Sequence, residues 1–227
     1  IHDIRLTTMT DEDVSMSFLP LTHVFERAWS YYCLHKGTIV CLNLRPAEIA
    51  STIKEVRPTL MCSVPRFWEK VYAGVNEKIT SESGFKRKLM LDAIRVGKIH
   101  NVDYLRVGKR PPLGNHLKYL FYEKTVYALL KKTIGLENGK FFPVAGAAVP
   151  DEICEFCHAV GINMKVGYGL TESCATVSCF PDDSFELGSV GKIMPDLQVK
   201  IGENNEILLR GKTITTGYYK KAEETAK

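Results

Sequence analysis

The stretch FFPVAGAAVPDEICEFCHAVGINMKVGYGLTES, residues 141–173, decides the fold, because it reads as strand, helix and strand with small residues at both strand ends. Lys140 to Ala145 is predicted as a strand running into Gly146-Ala147-Ala148, whose small side chains leave room. A helix is predicted from about Pro150 to Val160. A second strand, Asn163 to Tyr168, then delivers Gly167-Tyr168-Gly169-Leu170-Thr171-Glu172-Ser173. Ligands of open α/β sheets bind beyond the carboxyl ends of strands, so these two ends mark a candidate pocket. At the second end the glycines permit positive φ or close backbone approach, the Tyr168 ring offers a stacking face, and Thr171 and Glu172 can address a phosphate and its metal ion. The same residues also suit a plain strand-to-helix turn, with Tyr168 packed in the core and Thr171 and Glu172 starting a helix. The residues alone leave both readings open.

Upstream, the same alternation recurs. Val14 to Leu19 is predicted as a short strand, and Thr22 to Lys36 as a helix with apolar residues on one face, Thr22 as cap and Gly37 as stop. Thr38 to Leu42 reads as a buried strand, Pro46 to Val56 as a helix and Thr59 to Val64 as another strand, which argues for a largely parallel sheet flanked by helices. Pro65 to Ile134 is predicted mostly helical, with Leu113, Leu117, Leu120, Tyr127 and Leu130 striping the packed face of its last helix. After about Asp183 short strands follow at 188–193, 197–201 and 206–210, with a turn at Gly202-Glu203-Asn204-Asn205. The expected fold class is therefore α/β. Residues 1–184 form a sheet-and-helix subdomain with a helical elaboration at about 65–134, and 185–227 begin a β-rich, barrel-like subdomain. Both ends of the chain fall in mid-pattern, so the expectation is a piece of something longer.

The chain has 227 residues, 45% of them hydrophobic, enough to bury a sizeable core. No apolar run reaches membrane-spanning length, and a soluble, cytoplasmic protein is expected. Its net charge of +4 conceals an asymmetry: residues 85–132 hold 12 Lys or Arg against three acids, a local +9, leaving −5 elsewhere. Such a block can meet an anionic membrane, a polyphosphate or nucleic acid, or form a solvated helix face. The odd number of cysteines, seven, fits a reducing compartment. Cys154 and Cys157, with Cys174 and Cys179, invite a zinc reading, but the second pair has the wrong spacing and the first falls in a predicted helix.

Gly211-Lys212-Thr213 lacks the first glycine of a phosphate-binding loop, since Glu206 stands in its place, and Glu172 stands where a dinucleotide fingerprint needs its third glycine. There is no Gly-x-Ser-x-Gly elbow and no His-Glu-x-x-His helix.

Tyr168-Gly169-Leu170-Thr171-Glu172-Ser173 resembles the central motif of the AMP-forming acyl-CoA synthetases. Phe18-Leu19-Pro20-Leu21-Thr22-His23-Val24-Phe25-Glu26-Arg27 and Val64-Pro65-Arg66-Phe67-Trp68-Glu69-Lys70-Val71-Tyr72-Ala73 resemble segments of the long-chain branch. Gly146-Ala147-Ala148 matches that family's turn against the adenine ring, and Glu206 to Gly211 with Gly217-Tyr218-Tyr219 resembles the motif of the β-rich part. The resemblance implies a fatty-acid–CoA ligase using ATP, Mg²⁺ and coenzyme A, with AMP as the bound product. Tyr168, flanked by Gly167 and Gly169, is implied to stack on adenine, Thr171 to touch the α-phosphate, Glu172 to carry the metal, and His23 to lie near the acyl carboxylate. The partners so implied are a long-chain fatty acid, ATP and coenzyme A; peripheral contact with an anionic membrane is an expectation from the basic helices of residues 85–132, and no nucleic acid is expected. The family's Ser/Thr/Gly-rich phosphate loop, ribose-binding aspartate and late catalytic lysine are not in these 227 residues, so the chain alone is expected to be inactive. An adenylation domain for an aryl or amino acid, and a non-catalytic nucleotide- or lipid-binding module, are the alternatives.

Overall fold

In the computed structural model, which describes residues 6–226, β1 (Val14–Ser17) and β2 (Ile39–Leu42) pair in parallel, Val14 opposite Ile39. A parallel pair needs a crossover, and α1 (Val24–Lys36) supplies it. The cap position of this helix is His23 rather than the predicted Thr22; no side chain caps the start, and the His23 N–H is taken by the Pro20 carbonyl at 3.0 Å. Gly37 ends the helix in the left-handed region at φ 74°, where glycine has no Cβ penalty.

The predicted strand at 59–64 shrinks to isolated bridges, Ser15 with Leu60, Leu60 with Phe141 and Ser63 with Val144, all parallel. These bridges join the first strand pair to β3 (Phe142–Val144), which lies parallel to β4 (Met164–Tyr168). Two short antiparallel strands, β5 (Ser178–Cys179) and β6 (Lys192–Ile193), continue beyond β4. The sheet is thus parallel through its centre, and consecutive residues feed opposite faces. Leu60, Cys62 and Phe141 join α1 residues Trp29, Tyr32 and Cys33 on one side. Met61 and Phe142 join Trp68, Met164 and Val166 on the other. A run buried on both faces explains why these segments read as uninterruptedly apolar.

The second face is covered by α2 (Ile49–Val56), α3 (Pro65–Ser81), α4 (Gly84–Gly97), α5 (Leu113–Tyr122), α6 (Ala128–Ile134) and α7 (Asp151–Ala159). Trp68 is the fully buried anchor, its Nε1 donating to Ser63 Oγ at 2.8 Å. Here one expectation fails. Of the predicted stripe, Leu113, Leu117 and Leu120 are exposed (73%, 58% and 39%), whereas Tyr127 is buried and Leu130 packs on the core as expected, and Tyr119 and Tyr122 take the inward places on α5. A π-helical turn at Glu123–Tyr127 separates α5 from α6 and shifts the phase, so no single stripe runs through both halves. The tyrosines win the inward face because their hydroxyls find partners: Tyr122 donates to Asp92 at 2.8 Å, Tyr127 to the Ala93 carbonyl at 2.6 Å, and Tyr119 accepts from Asn101 at 3.1 Å.

The β-rich end is an antiparallel hairpin of β7 (Leu197–Ile201) and β8 (Ile207–Gly211), joined by the predicted turn, where Asn204 and Asn205 take left-handed φ. Among the described residues it forms an open hairpin, not a closed barrel. A short helix, α8 (Ala222–Thr225), follows. No helix among the described residues is long and apolar enough to cross a membrane.

Candidate active site

The pairing of Val144 with Val166 brings β3 and β4 to the same edge of the sheet, where both chains turn. After β3 the Ala145 N–H binds the Ser63 carbonyl at 3.3 Å, and Gly146 turns outward at φ 92°. Gly146, Ala147 and Ala148 are exposed, and a Cβ on Gly146 would meet nothing nearer than Val64 Cγ1 at 3.9 Å. The room that the sequence suggested is there.

Glycines around Tyr168 do something else. A Cβ on Gly169 would lie 1.3 Å from the Ala175 carbonyl oxygen, and one on Gly167 would lie 3.0 Å from that of Ser178. Neither glycine takes positive φ. The close approach they permit is that of the chain's own return: Val177 N–H binds the Tyr168 carbonyl at 2.8 Å, and Ala175 N–H the Leu170 carbonyl at 3.2 Å. Between these contacts Thr171–Ser173 form one turn of 3₁₀-helix, with Ser173 Oγ accepting from the Leu170 N–H at 2.9 Å. Cys174 and Ala175 follow in the left-handed region, at φ 51° and 85°. Two consecutive non-glycine residues there store strain, which persists only where the surroundings fix it.

That turn leaves Thr171 exposed and Glu172 half-exposed. Glu172 Oε1 accepts the Tyr218 hydroxyl at 2.6 Å, and its backbone carbonyl accepts the Thr215 N–H at 2.8 Å. The hydrogen bond from Tyr218 holds the Glu172 carboxyl below its ordinary value, so it is an anion at neutral pH. A hard carboxylate oxygen left free by this bond fits Mg²⁺, which keeps most of its waters and takes one or two protein carboxylates. Cys154 and Cys157 offer no such donors. Both are buried, and burial pushes the Cys154 thiol up to about 12 and Cys157 well above its usual range, the opposite of what thiolate ligation needs.

Tyr168 lines a narrow cleft of about 50 Å³ between this strand edge and α1. Its walls include Phe25, Trp29 and Tyr32 of α1, Val144 and Ala145 of β3, and Lys165 and Gly167 of β4. This volume admits an aliphatic segment or a few waters but is too small to enclose a nucleotide. His23, exposed at the start of α1, is not among the lining residues. Trp29 packs in the core, with Nε1 donating to Ser15 Oγ at 2.9 Å, and it also walls the cleft.

Lys165 was not singled out from the sequence. Its buried Nζ pairs with Asp182 Oδ1 at 2.8 Å and donates to the Pro181 carbonyl at 2.6 Å. Desolvation would raise the Asp182 carboxyl, but hydrogen bonds from Lys165 and Thr7 outweigh it and hold the group low. A lysine inside an apolar strand was the available signal, since such a charge must find a partner. A larger cavity of about 370 Å³ lies where α7 leads into β4, lined by Asn101, Arg106, His158 and Phe185 among others. It adjoins the amino end of β4, away from both turns.

The family pattern described as AMP-binding enzyme matches residues 2–219. The chain belongs to this family. Among curated relatives, Arabidopsis thaliana long chain acyl-CoA synthetase 4 is 29% identical over 233 residues, covering 96% of this chain and 34% of that protein. A Mycobacterium bovis long-chain-fatty-acid–CoA ligase, FadD15, is 28% identical over 210 residues, covering 92% and 34%. The chain therefore spans about a third of the length of these relatives. Among solved structures, a benzoate CoA ligase from Burkholderia xenovorans superposes on the whole chain with a TM-score of 0.62 at 16% identity, covering 38% of that protein. This likeness shows the fold that the chain shares with that protein.

Proposed function

We propose that this chain is part of a long-chain fatty-acid–CoA ligase. In the first step an oxygen of the fatty carboxylate attacks the α-phosphorus of ATP, forming acyl-AMP and releasing pyrophosphate. In the second the thiol of coenzyme A attacks the acyl carbonyl and AMP leaves. Tyr168 stacks on adenine beside the open turn at Gly146-Ala147-Ala148, and the Thr171 hydroxyl donates to the α-phosphate. Glu172 holds Mg²⁺, which would neutralise charge on the polyphosphate. Attack on phosphorus needs positioned donors and charge neutralisation more than a protein nucleophile, which suits this residue set. The apolar cleft walled by Phe25, Trp29 and Tyr32 begins the acyl channel, and it is the observation that favours a fatty acid over a small polar one.

Binding of non-hydrolysable acyl-adenylate analogues to the full chain tests this reading. A palmitoyl-adenylate analogue is expected to bind at least about tenfold more tightly than the benzoyl one, since each buried CH₂ contributes about 0.8 kcal/mol. Equal binding, or preference for an aryl or amino-acid analogue, would point to an adenylation domain for another acid. Nucleotide binding indifferent to Mg²⁺ would point to a non-catalytic module.

We also propose a cytoplasmic enzyme that rests on an anionic membrane. The basic block of residues 85–132 includes α5, whose Leu113, Leu117 and Phe121 are exposed beside Lys118. An apolar line flanked by cations suits a headgroup surface, where each cation contributes about 1 kcal/mol. Flotation with phosphatidylserine vesicles should weaken in high salt and in Leu117→Asp. Insensitivity to both would exclude this contact.

A further inference from the structure

Tyr218 lies 46 residues beyond Glu172, in the segment after the β7–β8 hairpin, yet its hydroxyl reaches the Glu172 carboxylate at 2.6 Å. A lone exposed contact of this kind would carry little. Here the same two segments are joined a second time, by the Thr215 N–H on the Glu172 carbonyl at 2.8 Å. Tyr218 is also locked in its own turn. Its N–H binds Thr225 Oγ1 at 2.9 Å, Thr225 Oγ1 donates to the Lys221 carbonyl at 2.8 Å, and the Lys221 N–H returns to the Tyr218 carbonyl at 3.1 Å. On the other side, the left-handed pair Cys174 and Ala175 fixes the backbone after the Thr171–Ser173 turn.

A carboxylate has two oxygens and about four acceptor directions, so one donor leaves capacity for a metal. Outer partners of this kind orient a metal-binding carboxylate and tune its affinity.

We propose that Tyr218 is a positioning residue, holding the Glu172 carboxylate in the orientation that receives the Mg²⁺ of bound ATP. The inference rests on the metal role given to Glu172 above. It makes the segment after the hairpin part of the site, although it contributes no residue to the cleft.

The test measures ATP binding by the full chain against Mg²⁺ concentration, and AMP binding without metal, in wild type, Tyr218→Phe and Glu172→Gln. Glu172→Gln should abolish the Mg²⁺ dependence. Tyr218→Phe should raise the half-saturating Mg²⁺ concentration about tenfold, leaving metal-free AMP binding unchanged. A purely structural role would weaken metal-free AMP binding as well. Thr225→Ala, which frees the Tyr218 backbone but keeps the hydroxyl, should act in the same direction more weakly, and it serves alone if Tyr218→Phe does not fold. Loss of Mg²⁺ dependence in Glu172→Gln with wild-type behaviour in Tyr218→Phe and Thr225→Ala overturns the role of Tyr218 alone. Tighter Mg²⁺ binding in Tyr218→Phe overturns it too, making the contact a competitor of the metal. No Mg²⁺-dependent binding by wild type, or no effect of Glu172→Gln, overturns the metal assignment and this inference with it.

Discussion

The turns after β3 and β4 leave the same sheet edge, both rich in small residues, yet for different reasons. At Gly146 only the backbone conformation, φ 92°, asks for glycine, and the space around it is open. At Gly169 the conformation is ordinary and the space is filled by the chain's own carbonyl at Ala175. The first turn is small toward the outside and the second toward itself. A motif glycine beside a ligand site can thus be a folding requirement that merely places the functional side chains next to it.

The strongest break of this contrast is Gly169→Ala. Its Cβ would overlap backbone atoms of Ala175, which no rotamer can relieve, so a loss on the order of 4 kcal/mol is expected in denaturant unfolding. A variant as stable as wild type would show that the return loop is not bound to this turn.

Acid should loosen both turns together, because α7 connects them and carries His158 at its end. Burial pushes the His158 imidazole down to about 4 from 6.5, and the Lys165 charge adds to this against an opposing backbone hydrogen bond at Met164. The folded protein keeps this ring neutral while the unfolded chain protonates it below 6.5. Stability from this group is therefore complete above pH 6.5 and is lost as pH falls to about 4, by roughly 3 kcal/mol in total. Unfolding free energies of wild type and His158→Phe across that interval should diverge accordingly, and parallel curves would assign the acid sensitivity elsewhere.

Gly146→Ala should cost only the strain of a left-handed alanine, roughly 1 kcal/mol, measurable as a small shift in Tm. Ala147→Leu sharpens the contrast most finely. At this exposed position stability should change by less than about 0.5 kcal/mol while AMP binding falls. Unchanged AMP binding would mean that the open turn does not face the nucleotide.

Much of the architecture is legible in the sequence. α1 and α7 come within a residue or two of their predicted bounds, and β7 matches its predicted span, because an apolar face repeating every three to four residues, or every two, can be buried in only one way. The stripe on α5 is misread for the same reason, since the π turn at Glu123–Tyr127 breaks the period on which it was counted. Of the candidate residues, the open turn at Gly146-Ala147-Ala148 is legible from its small side chains and Tyr168 lines the cleft, whereas His23 stays outside the cleft that its helix walls.

By itself the sequence determined the order of strands and helices, the parallel sheet and the two turns at its edge, since each depends on residues close together in the chain. Only the tertiary structure decided which side chains share the site. Lys165 finds Asp182 across 17 residues and Glu172 finds Tyr218 across 46. Nothing in the spacing of either pair announces it. Such contacts form because the return of the chain after Gly169, and the turn locked by Thr225, bring distant segments within hydrogen-bonding distance.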